Sequence, residues 1–137
     1  MSNELTTIAP TLEAFKAPAD LVEVRMHPEK YQRIGATPFQ ESVEKMCPMV
    51  YAAFLYRGQE TTEGVIKYIA GTLVKEILAD TQFGLDSLSW LEIGMVIRKA
   101  VLGAGRELFG VSVASLYAAL VDYAKTEGHE ACKQVRR

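Results

Sequence analysis

Apolar residues keep no sustained period over the first forty positions and then fall into four stripes with helical spacing. Pro10, Pro18, Pro28 and Pro38 recur through the opening stretch. Proline has no amide proton and a fixed φ, so this stretch reads as an arm of turns with at most short helices around residues 12–16 and 28–33. From Glu41 the pattern changes. Val43, Met46, Cys47, Val50, Tyr51, Phe54 and Leu55 lie three and four residues apart, which predicts a helix over about 39–57, ended by Gly58. Pro48 falls inside that stripe, so the helix is either kinked there or begins nearer Cys47 with the proline in its first turn.

Three more helices follow. Thr61 and Thr62 offer hydroxyl caps ahead of a stripe made by Ile66, Ile69, Leu73, Ile77 and Leu78, predicting a helix over about 61–80. After a short connection containing Gly84, Asp86 or Ser87 can accept from the free amides of a helix over about 87–101. Its apolar positions, Leu88, Trp90, Leu91, Ile93, Met95, Val96, Ile97 and Val101, nearly encircle the axis and predict a place at the centre of the core. Gly103, Gly105 and Gly110 mark a sharp turn. Beyond it Val113, Leu116, Tyr117, Leu120, Val121 and Ala124 predict an amphipathic helix over about 112–126, with Gly128 as its stop.

The expected fold is all-α: a compact bundle of about four main helices with a proline-rich, irregular N-terminal arm. The arm covers residues 1–38, the helical domain 39–128 and a basic C-terminal tail 129–137. The short connections between the last three helices favour packing as sequential neighbours. A length of 137 residues, with 49% apolar and 23% charged positions, suits one domain with one core. No apolar run is long enough to span a bilayer, and Met1-Ser2-Asn3-Glu4 lacks the basic flank and apolar stretch of a signal peptide, so a cytoplasmic location without membrane contact is expected.

Cys47 and Cys132 sit too far apart in the chain for a zinc-ligand pair and form no disulfide framework, so both read as free thiols, Cys47 buried and Cys132 exposed. His27 and His129 have no second ligand at metal spacing, and no nucleophile-base motif joins either to Ser87. The glycine cluster follows a helix, whereas a dinucleotide fingerprint needs a strand before it. No catalytic residue, metal or cofactor is therefore expected. The net charge of −2 conceals an acidic middle and a mildly basic C-terminal part. Arg98, Lys99, Arg106, Lys125, Lys133, Arg136 and Arg137 are the candidate phosphate contacts if nucleic acid is bound, although solvated helix faces carry the same residues. The exposed face expected on the last helix, with Ser112, Ser115, Asp122 and Lys125, offers little for reading a major groove.

One short segment suggests chemistry. Phe83-Gly84-Leu85-Asp86-Ser87-Leu88, followed by Leu91-Glu92-Ile93, resembles the Gly-x-Asp-Ser-Leu segment of acyl and peptidyl carrier proteins. The resemblance implies a phosphopantetheine arm on Ser87 and a following helix that partner enzymes read. A helix start would suit an incoming phosphate. The same letters also serve a plain N-terminal cap, and Arg98-Lys99 stand where carrier proteins keep an acidic recognition face.

A second resemblance covers residues 40–137. Lys75-Glu76-Ile77-Leu78, then Leu85 to Leu88 leading into Leu91-Glu92-Ile93, then Gly103-Ala104-Gly105-Arg106-Glu107-Leu108-Phe109-Gly110, then Val121-Asp122-Tyr123-Ala124 occur in order. This arrangement looks like a family of small uncharacterised helical proteins encoded in prophages, plasmids and conjugative elements of Bacteroides and related bacteria. Ala104 and Arg106 flank the second glycine where that family commonly has an aromatic. The resemblance implies a genetic setting, replication or maintenance of the element, and no particular chemistry. The expected function is a non-enzymatic binding or adaptor protein of a mobile element, with an unknown protein or DNA as partner. The alternative is a carrier protein modified on Ser87. Oligomeric state is left open.

Overall fold

The computed structural model describes residues 31–102 and 110–128. Its α-helices are α1, Phe39–Tyr56; α2, Glu63–Ala79; α3, Trp90–Leu102; and α4, Val113–Tyr123. Two short 3-10 turns, Ile34–Ala36 and Leu85–Ser87, precede α1 and α3, and one π turn, Ala124–Gly128, prolongs α4. This is the expected all-α bundle.

Helix α1 runs through Pro48 from a start at Phe39, so the start near Cys47 does not occur. A proline in a helix interior costs about 3 kcal/mol, since the carbonyl four residues back loses its amide partner. The burial on this face outweighs it: Met46, Cys47, Met49, Val50 and Phe54 are all buried, and each large apolar side chain contributes about 1.5–3 kcal/mol. Leu55, assigned to the stripe, is instead 52% exposed. The helix ends as its glycine predicts. Gly58 takes φ +65°, its amide donates to the Leu55 carbonyl, and the Gln59 amide donates to the Phe54 carbonyl, the paired bonds of a Schellman stop.

The Thr62 hydroxyl caps α2 by accepting from the Val65 amide. Ile66, Ile69, Leu73 and Ile77 are buried as their spacing predicts, whereas Leu78 is exposed. Helix α3 starts at Trp90 and not at 87. Its cap is Ser89, whose hydroxyl accepts from the Glu92 amide while the Glu92 carboxylate accepts from the Ser89 amide. That is a capping box, Ser-x-x-Glu, and it takes the role expected of Asp86 or Ser87. A second reciprocal cap, Ser112 with Ser115, opens α4.

The helices close a ring in which α1 touches α2 and α3, and α4 touches α2 and α3. Helices α2 and α3, expected as sequential neighbours, face each other across the ring. The connection explains this, because it carries core residues of its own. Leu85 and Leu88 are buried, and the turn at 85–87 packs on α2, so the connection fills the position a direct hairpin would close. Helix α3 is buried almost all round as predicted, but it stands in the ring like the others.

Part of the segment assigned to the irregular arm is built into the fold. The Ile34 amide donates to the Leu88 carbonyl and the Trp90 amide to the Gln32 carbonyl, around an antiparallel bridge between Arg33 and Ser89. Ile34 is fully buried, and the Trp90 indole donates to the Thr37 hydroxyl at 3.0 Å. Gly35 permits this approach: a β-carbon there would lie 2.7 Å from the Asp86 carbonyl oxygen. Residues 31–38 thus belong with the helices. Among the described residues no helix is long and apolar enough to cross a membrane.

Candidate functional site

The most distinctive chemistry lies where the start of α3 meets the end of α4. Glu92 is fully buried, the only charged side chain among the described residues that is. Its Oε1 accepts from the Ser89 amide and hydroxyl, both at 3.1 Å. Its Oε2 accepts from the Tyr123 hydroxyl at 2.5 Å. A buried acidic group left without partners would cost about 1–3 kcal/mol or more, and these hydrogen bonds offset that cost. Local geometry supplies the first two, since residue 92 is the third position of its helix. The third needs the fold to bring Tyr123, 31 residues away, against the same carboxylate.

Beside this cluster, α3 and α4 enclose a cleft of about 120 Å³ lined by Val96, Lys99, Ala100, Ala119, Asp122, Tyr123 and Thr126. Two alanines make the hollow, one from each helix. Its polar groups already hold the structure in part: the Thr126 hydroxyl donates to the Asp122 carbonyl, and Tyr123 turns its hydroxyl to Glu92. Ser89 and Glu92 adjoin each other as a nucleophile and base would, but Ser89 is 1% exposed and Glu92 not at all. Neither side chain reaches the surface.

Ser87, the implied attachment point, sits in the 3-10 turn at Leu85–Ser87, two residues before the α3 cap. Its hydroxyl donates to the Gly84 carbonyl at 2.7 Å, closing its own turn. Gly84 takes φ +68° there, and the Asp80 carboxylate accepts from the amides of Gln82, Phe83 and Leu85. The motif residues are therefore engaged in shaping the connection. The free amides of α3 are capped by Ser89 and lie beyond Ser87.

Of the basic candidates, Arg98 and Lys99 are exposed toward the end of α3, and Lys125 is exposed in the π turn. Lys99 lines the α3–α4 cleft, while the Lys125 ammonium lies 6.0 Å from the centre of the Phe83 ring, at the outer limit of a cation–π contact. The two lysines thus address different neighbours. Arg106, Lys133, Arg136 and Arg137 lie outside the described residues, as do His27, His129, Cys132, Gly103 and Gly105. Among the described residues no group of histidine, cysteine and carboxylate side chains has metal-site geometry.

Two groups have shifted titration. Burial pushes the Cys47 thiol up, with Glu63 and Glu44 adding to the effect and Lys67 opposing it. Burial also raises the Tyr117 phenol, helped by Asp80 and Glu76. Cys47 is buried and free, as its place in the α1 stripe predicts.

The tyrosines take different environments. Tyr123 is buried with its hydroxyl on Glu92, and Tyr68 is 69% exposed. In the sequence Glu92 stands as one acidic residue of the middle segment among several. The local half of its cluster was legible as Ser89-x-x-Glu92, a capping-box signature.

The described fold is thus an all-α bundle whose one fully buried acidic side chain is tied to its architecture. No family model, no curated protein and no solved structure matches this chain.

Proposed function

We propose that the protein is a binding or adaptor module without catalytic chemistry of its own, serving a mobile genetic element and acting through contacts with DNA or a protein partner. One observation carries the non-enzymatic reading. The buried carboxyl group is bound on both oxygens by groups that cap α3 and anchor α4, and Ser89 and Glu92 are sealed from solvent. Enzymes place their catalytic acids and bases where a substrate can reach them. Here the adjacent cleft presents Tyr123 with its hydroxyl already given to Glu92.

DNA is the first partner to test. Arg98 and Lys99 stand exposed toward the end of α3, just ahead in sequence of Arg106. The setting in a mobile element rests on the resemblance over residues 40–137 and on nothing in the geometry. The carrier alternative draws no support from the structure, since Ser87 is bonded into its own turn and α3 takes another cap.

The test is fluorescence anisotropy with labelled single- and double-stranded DNA at low and moderate salt, on the full chain and on an Arg98→Ala, Lys99→Ala variant. Binding that falls steeply with salt and weakens in the variant supports a role on DNA, because fewer cations on the phosphates release fewer counterions and make the salt dependence shallower. No binding at low salt discards DNA and leaves a protein partner.

A further inference from the structure

We draw no further inference here: the strongest candidate, the cleft between α3 and α4 rimmed by Lys99, Asp122 and Thr126, carries nothing because its tyrosine is spent on Glu92, its threonine on the α4 backbone, and nothing in the structure shows what would fill it.

Discussion

Single atoms carry unusual weight where polar groups are sealed from water. Removing the Tyr123 hydroxyl by Tyr123→Phe keeps the ring in place and leaves Glu92 Oε2 without that donor. A buried acceptor stripped of its partner costs about 1–3 kcal/mol, and more when charged. Urea unfolding should show a loss of that size. Glu92→Gln combined with Tyr123→Phe should cost less than the two changes added, because the residues share one bond. Strict additivity would mean that the bond contributes nothing.

Two glycines give opposite expectations from one substitution. A β-carbon at Gly71, inside α2, meets nothing within 4 Å, whereas at Gly35 it meets the Asp86 backbone at 2.7 Å. Gly71→Ala should therefore stabilise by about 0.5–1 kcal/mol, through lower entropy of the unfolded chain. Gly35→Ala should destabilise by about 1–3 kcal/mol, since backbone must move. Thermal melts of both variants check the pair; the same sign for both would contradict the described approach of residues 34–36 to residues 85–87.

At the scale of elements, the boundaries follow from caps more than from stripes. The apolar period located all four helices, but α3 begins where Ser89 and Glu92 satisfy each other's backbone amides, not where the first hydroxyl stands in the sequence. Helix α4 opens likewise on the reciprocal cap of Ser112 with Ser115.

The packing of these elements also fixes how stability responds to alkali. The folded chain favours the protonated forms of the Cys47 thiol on α1 and the Tyr117 phenol on α4, each raised above its ordinary value. A raised folded value means that stability is complete below the unfolded value, near 9.0 for the thiol and 10.0 for the phenol, and is lost as pH rises through the folded value. Denaturation midpoints should accordingly fall from about pH 9 upward. Tyr117→Phe should flatten the upper part of that decline, and an unchanged slope would show that the phenol is not held in its neutral form.

Across the whole molecule, the decisive arrangement is the ring of helices closed by the connection between α2 and α3 and by residues 31–37. Ile34 joins the core from a segment without helical period, and truncating a fully buried isoleucine costs about 2–5 kcal/mol. Ile34→Ala should lower the urea midpoint accordingly, while Leu55→Ala, on the exposed side of α1, should change stability by less than about 0.5 kcal/mol. Equal effects from the two would mean that residues 31–37 do not complete the core.

What the sequence by itself determined is the helical content, the inward residues Met46, Val50, Ile66, Leu73, Leu116 and Leu120, and the stop at Gly58. These follow from the 3.6-residue period and from glycine's freedom at positive φ, which are local properties of the chain. Ser89-x-x-Glu92 was local as well, though hidden behind the more familiar letters around Ser87. Only the tertiary structure decided that α2 and α3 lie opposite each other, that Ile34 and Thr37 reach the start of α3, and that Tyr123 closes on Glu92. The last two contacts join segments far apart in sequence, and the placement of α2 against α3 depends on how their connection packs; periodicity carries no information on either. They are settled by which buried surfaces fit and by the requirement that every sealed polar group find a partner.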